Sequence, residues 1–284
     1  MTVLRRSRRL AQAGGAAILI RSHVAVGWGY NGEGQLGDGT IISRSGFGDI
    51  RVANDVVQVA AGSGHGLAVR SDGTVWAWGF NGAGKLGDGT TTSRSTPVRV
   101  TGLSGVTQVA ACSDFSVALR SDGTVWAWGD NRGGQLGRGT MSNHEVTPAR
   151  VRGLARVTKI SAGGSFVLAL RSDGTVRAWG DNRRGQLGNG TTASSPVPVK
   201  VAGLSGVTGI SAGYDARRNG TVWTARLKSL PVATCVALVR PVTCTGPVTG
   251  AVLPLPSWPK ALLPQASTVP SGFSASRWNS PAES

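Results

Sequence analysis

The dipeptide Trp-Gly recurs at Trp28-Gly29, Trp78-Gly79, Trp128-Gly129 and Trp179-Gly180, at intervals of 50, 50 and 51 residues. A fixed period of this length is the mark of a repeat architecture, whose units bury their apolar faces only against one another. Each pair leads into a shared glycine loop, which reads YNGEGQLGDGT from Tyr30, FNGAGKLGDGT from Phe80, DNRGGQLGRGT from Asp130 and DNRRGQLGNGT from Asp181. Agreement at so many positions in four copies sets the architecture before any single residue is interpreted.

The second copy shows what one unit folds into. Val56-Val57-Gln58-Val59-Ala60-Ala61-Gly62 and Gly66-Leu67-Ala68-Val69-Arg70 read as strands, and Ser71-Asp72-Gly73-Thr74 reads as a tight turn. Asp-Gly between apolar runs predicts a two-residue type I′ hairpin with positive φ at both central positions. Thr74 to Gly79 makes a third strand and Pro97 to Val100 a fourth. Pro97, Pro148 and Pro196 enter these outer strands, where a missing N–H is tolerated. Alternation puts Trp76 and Trp78 on one face of the third strand and Val75 and Ala77 on the other, so the strand is apolar on both sides and belongs inside. The expectation is an all-β chain, a β-propeller of four-stranded antiparallel blades with about four recognisable repeats of roughly 50 residues. Trp28, Trp76, Trp78, Trp126, Trp128 and Trp179 are its expected core. A stacked β-solenoid is the alternative, but its repeats are usually shorter.

Both ends depart from the pattern. Residues 1–12 form a basic tail carrying Arg5, Arg6, Arg8 and Arg9, and the repeats extend over 13–226. Blade cores fall near 26–52, 56–103, 106–154 and 157–204, with a partial copy at 207–226. The basic and then apolar start loosely resembles a leader, yet Ala13 to Ser22 aligns with Ala162 to Ser172, which favours a partial repeat and leaves a cytoplasmic or a secreted location open. The apolar stretch is too short for a membrane span. In the last copy Asn219-Gly220-Thr221-Val222-Trp223 arrives early, as if the second strand were missing. Residues 227–284 hold nine of the thirteen prolines and read as an irregular tail. A propeller broken at both ends leaves two blade faces uncovered, and a four- or five-bladed ring, self-association of two chains through exposed blade edges, or poor solubility are the alternatives that the sequence leaves open.

Copies of "GxVxxWG" joined to "NxxGQLGxGT" and preceded by "AxGxxxxLALRSDG" resemble the repeats of the regulator of chromosome condensation family, clearly over residues 26–213. The resemblance implies a ring of more blades than these repeats supply. It also implies work by binding: guanine-nucleotide exchange in the eukaryotic branch, which relies on a wedge inserted in one blade, and target binding through the loops of one face in bacterial members. No insertion interrupts the even spacing here, so exchange is the weaker implication. A photoreceptor branch uses tryptophans before its second strand, where this chain has Ser63-Gly64-His65, Ser113-Asp114-Phe115 and Ser165-Phe166.

Motifs that suggest chemistry dissolve on comparison between copies. Gly79 to Lys85 matches the start of a phosphate loop, but Gln35, Gln135 and Gln186 replace Lys85 in the other copies and Leu86 stands where a hydroxyl would hold magnesium. Asp38 and Asp88 offer one carboxylate each where calcium needs several oxygens, and Arg138 and Asn189 replace them. Phe115 and Phe166 replace His65, so that position packs. Neither a cofactor nor a metal is expected, and the chain is read as no enzyme. The function expected is a protein-binding scaffold using loop positions that vary on a fixed frame: Tyr30, Glu33, Phe80, Asp130, Arg132, Asp181, Arg183 and Arg184. The net charge of +16 supports an alternative, nucleic-acid or anionic-polymer binding through Arg5 to Arg9, Arg132, Arg138, Arg183 and Arg184.

Overall fold

The structure is a computed structural model, describing residues 10–13, 15–52 and 54–213 together with strand backbone at 223–227, 234–237 and 243–245. It is all-β, with five four-stranded antiparallel sheets, each a meander in chain order. The first contains β1 (Leu10–Ala13), β2 (Ala16–Arg21), β3 (Val24–Gly29) and β4 (Arg44–Asp49). The second contains β5 (Val56–Ala61), β6 (His65–Arg70), β7 (Val75–Gly79) and β8 (Arg94–Arg99). The third contains β9 (Val106–Ala111), β10 (Phe115–Arg120), β11 (Val125–Asn131) and β12 (Ser142–Arg150). The fourth contains β13 (Val157–Gly163), β14 (Phe166–Arg171), β15 (Val176–Gly180) and β16 (Ser195–Lys200). The fifth contains β17 (Val207–Ala212), β18 (Trp223–Leu227), β19 (Thr234–Ala237) and β20 (Thr243–Thr245). Among the described residues no helix is long and apolar enough to cross a membrane.

First strands pack on first strands, β1 against β5, β5 against β9, β9 against β13 and β13 against β17, which makes them the inner strands of successive blades. Among the described residues no comparable packing joins the first sheet to the fifth, and the arc they form is open. Side chains bolt the inner strands together. The amide of Gln58 gives and takes a hydrogen bond across the gap, to Val109 O (3.0 Å) and from Val109 N (2.9 Å), and Gln108 does the same with Ile160 (2.8 and 3.0 Å). The core consists of four apolar clusters, one between each pair of neighbouring sheets.

Several expectations need correction. The first sheet starts at Leu10, inside the stretch read as a basic tail, because Leu10 to Ala13 pairs with Ala16 to Leu19 as a short hairpin. Among the six core tryptophans, Trp78, Trp128 and Trp179 are wholly buried, but Trp28, Trp76 and Trp126 are half-buried. Trp76 and Trp126 lie nearer the rim, where Arg177 occupies the same position in the fourth sheet and Arg120 sits 5.9 Å over the Trp126 ring. Trp28 belongs to the first blade, which has no preceding blade among the described residues to cover it. In β16 the proline matching Pro97 and Pro148 is Pro198, since Lys200 aligns with Arg99 and Arg150.

The Asp-Gly turns are not type I′. Of their central residues only Gly73, Gly123 and Gly174 have positive φ, at 75°, 77° and 76°. Gly73 N donates to Arg70 O (2.9 Å) and Arg70 N to Thr74 O (3.0 Å), the pattern of a type I turn followed by a glycine bulge. Asp72 fixes that choice by accepting from both Thr74 N (2.9 Å) and Thr74 Oγ1 (2.6 Å). These bonds also hold the Asp72 pKa below its ordinary value. The two-residue turn does occur in the first sheet, at Ser22-His23, with φ of 50° and 67°.

The fifth sheet differs most. β18 pairs with β17 in the register that β14 uses with β13, Ile210 opposite Ala225 as Ile160 is opposite Ala169. Trp223–Leu227 therefore fills the second-strand slot instead of continuing a third strand, and β19 and β20 complete the sheet from residues read as irregular tail. Their register sets Cys235 opposite Cys244. Asn219-Gly220, whose early arrival suggested a deletion, and Arg5 to Arg9 lie outside the described residues.

Candidate functional site: the glycine-loop face

In the first four sheets the connections between first and second strands and between third and fourth strands lie at the same end. Tyr30 N, Phe80 N, Asp130 N and Asp181 N donate to Gly15 O, Gly64 O, Asp114 O and Ser165 O, at 2.8 to 2.9 Å. The glycine loops thus form one face, and the Asp-Gly turns form the opposite one.

One residue type fixes every loop. Asn31, Asn81, Asn131 and Asn182 are each 0% exposed. The amide oxygen of Asn81 accepts from Leu86 N (2.9 Å), and its nitrogen donates to Thr90 O (3.0 Å) and Thr92 O (3.1 Å). Asn182 repeats this with Leu187 N (2.8 Å), Thr191 O and Ala193 O (2.9 Å each). The loop is then clamped to the next blade. Trp78 Nε1 donates to Gln35 O (2.8 Å), Trp128 Nε1 to Lys85 O (2.8 Å) and Trp179 Nε1 to Gln135 O (3.0 Å). Gly37, at φ 62°, lies against the Trp78 ring, and a Cβ there would stand 2.8 Å from Cδ1.

On this frame the tips come in two kinds. In the first two loops Tyr30 (52% exposed) and Phe80 (37% exposed) fold over Gly32 and Gly82, where any Cβ would collide with the ring. In the third and fourth, an aspartate replaces the aromatic and an arginine replaces the glycine. Asp130 accepts from Arg132 Nε (2.7 Å) and Gln135 Nε2 (2.7 Å), and Asp181 accepts from Arg183 Nε (2.8 Å) and Gln186 Nε2 (2.9 Å). Hydrogen bonding to Asp130 pushes the Arg132 pKa up, so its charge is firm. The face therefore has an aromatic half, flanked by exposed Ile41 and Ile42, and a cationic half carrying Arg132, Arg183 and Arg184. Gly133 of the third loop lies against Asp181 of the fourth, making the cationic half continuous.

Of the residues expected at the site, Tyr30, Glu33, Phe80, Arg132, Arg183 and Arg184 are at the surface. Asp130 is buried and Asp181 half-buried, and they hold the arginines in place without presenting themselves. Arg138, grouped with the cationic set, is half-buried and donates to Ala127 O (2.6 Å). It pairs with Glu145 at 3.3 Å. The four asparagines were not singled out from the sequence, although they are identical in every copy.

Arg138 also exposes an exchange between repeats. Asp38 pairs with Arg44 and Asp88 with Arg94 (3.2 Å), and at equivalent positions the third copy carries Arg138 with Glu145. Burial opposes the Asp88 charge, but bonds from Thr90 and Arg94 outweigh it and lower its pKa. Reversing only one member, by Arg138→Asp or Glu145→Arg, places like charges together and is expected to cost about 1–2 kcal/mol, whereas the double reversal recreates the arrangement of the second copy. Chemical denaturation of the three variants measures the coupling, and additive losses would refute the pairing.

His65 fills the slot of Phe115 and Phe166, wholly buried, with Nε2 3.0 Å from Ser116 Oγ and no partner for Nδ1. Ser116 Oγ donates to Lys85 O (2.8 Å), so Nε2 carries the imidazole proton. Burial, and then the nearby Lys85 charge, lowers the His65 pKa well below 6.5. The unfolded chain consequently binds this proton more readily, and stability is full above pH 6.5 and declines as pH falls below it toward the folded pKa. His65→Phe is expected to abolish that decline while leaving the loss at lower pH from Asp72 and Asp88, which thermal melts between pH 7 and pH 5 can resolve.

The repeat frame agrees with known proteins. Human E3 ubiquitin-protein ligase HERC2 is 33% identical over 143 residues, which are 49% of this chain and 3% of that protein. The Arabidopsis thaliana ultraviolet-B receptor UVR8 is 40% identical over 63 residues, 22% of this chain and 14% of the receptor. The chain thus spans a small part of these relatives. Human WBSCR16 superposes with a TM-score of 0.68 at 24% identity, covering 83% of this chain and 64% of its own. Yeast Prp20, in its complex with Kap60, superposes with a TM-score of 0.68 at 20% identity, covering 81% of this chain and 55% of its own. Those structures share the fold. With the RCC1-like domain matched across residues 10–218, the chain belongs to the RCC1-like propeller family.

Proposed function

We propose that this chain is a non-enzymatic protein-binding scaffold that takes its partner on the glycine-loop face. The observation that carries the reading is the separation of frame from tip. Four loops share one buried asparagine and one glycine pattern, and the first three share a tryptophan clamp to the next blade, while their exposed ends differ in kind. Fixed backbone with varied side chains is how repeat proteins acquire specificity, and aromatic and arginine residues are those that most often dominate protein interfaces. Yeast Prp20, of the same fold, is described as binding Kap60, Gsp1p and histones. Here the two halves of the face fit a partner segment with apolar side chains next to acidic ones. Engagement of Arg138 inside the fold, and of Arg132 and Arg183 with carboxylates, makes the face a poorer match for a nucleic-acid backbone.

Affinity capture from the native host tests this, with the chain compared against a variant carrying Tyr30→Ala, Phe80→Ala, Arg132→Ala and Arg183→Ala. The variant should still melt cooperatively, since the buried asparagines and the tryptophan clamps are untouched, and should lose the captured protein. Equal capture by both, or retention of nucleic acid alone with a steep salt dependence, overturns the proposal.

A further inference from the structure

In each of the first four sheets the third strand is tied to the fourth by a long glycine loop, whose buried asparagine holds the loop backbone from within. The fifth sheet is built differently, since only the five residues 238–242 separate β19 from β20 in the sequence. Three pairs join these strands: Thr234 with Thr245, Cys235 with Cys244 and Val236 with Thr243. β20 has three residues and pairs with β19 alone, and a strand this short holds poorly by backbone bonds. Yet the sheet has work to do. Its inner strand β17 packs on β13 and β14, where Phe166, Leu168, Leu170 and Val207 are buried in one cluster with Ile210 and Ala212 against it. Among the described residues no further sheet packs on the fifth, so it lacks the support that a following blade gives the other four.

We propose that Cys235 and Cys244 form a disulfide that locks β20 onto β19 and so keeps the fifth sheet over the apolar face of the fourth. The register carries the proposal. Directly opposed residues of an antiparallel pair lie on the same face, with Cα atoms about 4.5 Å apart in a non-hydrogen-bonded pair and about 5.5 Å in a hydrogen-bonded one. Both separations fall within the span of about 4.4–6.8 Å that a disulfide bridges. A small disulfide such as oxidised glutathione supplies the oxidising equivalents. One cysteine thiolate attacks it and displaces a glutathione thiolate, and the other cysteine thiolate then attacks the mixed disulfide and displaces the second. The chain loses two thiols, the oxidant becomes two thiols, and the cysteine protons pass to the departing glutathione thiolates. A reducing buffer runs the exchange backwards and frees β20. The third cysteine stands apart, because Cys112 is buried in the third blade, where its N–H donates to Phe115 O (3.0 Å). Burial pushes its thiol pKa up, away from the thiolate that exchange requires. The lock closes a ring of ten residues, 235–244, and removes from the opened sheet the freedom that this segment would gain. It lies away from the glycine-loop tips, so it and partner capture can fail separately.

Equilibration of the full chain in buffers of graded reduced and oxidised glutathione, followed by alkylation and peptide mass mapping, tests the proposal. The oxidised chain should keep one alkylatable thiol, Cys112, and yield a single intrachain link between the peptides of Cys235 and Cys244. Folding and the disulfide must favour each other equally, so the same titration in urea should need a glutathione ratio about tenfold or more oxidising to reach the half-point. Amide exchange across Val207–Ala212 should slow by a similar factor in the oxidised chain. Cys235→Ser, which cannot form the bond whether or not its fifth sheet is intact, should exchange there at one rate in both buffers. Three alkylatable thiols at every ratio, or a link through Cys112 or between chains, overturns the pairing. Equal half-points with and without urea, or exchange at Val207–Ala212 indifferent to oxidation, overturns the lock.

Discussion

Replacing Asn81 with alanine is expected to cost about 3 kcal/mol of folding stability, more than most single substitutions. The side chain is 0% exposed and makes three bonds to loop backbone, accepting from Leu86 N and donating to Thr90 O and Thr92 O. Alanine removes all three and strands at least one amide and one carbonyl without water nearby, each at about 1–3 kcal/mol. Asn81→Asp separates the roles: its carboxylate still accepts from Leu86 N but confronts two carbonyl oxygens it cannot donate to. The ordering expected from urea denaturation is parent above either variant, with loss of loop protection in hydrogen exchange reaching Trp128, which the same loop clamps through Lys85 O (2.8 Å). If Asn81→Ala is within about 1 kcal/mol of the parent, the asparagine frame does not hold the loop.

The propeller was legible because a period of about 50 residues, with tryptophan and glycine in phase, leaves few other ways to bury both sides of a strand. What escaped the sequence reading was decided by local hydrogen bonds or by register. Asp72-Gly73 signals a hairpin in either geometry, and the two bonds from Thr74 select the type I turn with its bulge. At the far end, an Asn-Gly pair matching the earlier turns drew Trp223 into a third strand, yet pairing with β17 puts it in the second. At the site, the variable tips were legible one position at a time. Their coupling was not: an aromatic needs glycine two residues on to fold over, and an aspartate needs arginine there to hold. That rule was already written in Tyr30 with Gly32, Phe80 with Gly82, Asp130 with Arg132 and Asp181 with Arg183. Asp130 was thus counted among presented residues when its neighbours show it to be the one that positions.

The same comparison between copies yields the second large effect, at the junction of the second and third blades. Lys85 stands where the other loops have glutamine, and its side chain is 1% exposed. Nζ donates to Asp114 Oδ1 (2.7 Å), Ser113 O (2.9 Å) and Ser63 O (3.4 Å), and lies 4.7 Å over the Phe80 ring. Asp114 is peculiar to the third copy, since Gly64 and Ser165 hold its place elsewhere, so the cation and its carboxylate stand on facing blades as a matched pair. Removing one member of a buried pair typically costs about 3–5 kcal/mol, and with Asp114 44% exposed about 2–3 kcal/mol is expected for Asp114→Ala. Lys85→Gln should cost far less, because glutamine already serves this loop three times and the carboxylate left behind, Asp114, is 44% exposed and stays hydrated. The double variant should then recover most of the loss caused by Asp114→Ala alone, a coupling that a double-mutant cycle in urea reads directly. If instead the two losses add, the pair contributes only packing. The charge would then have no part in fixing which blade follows which.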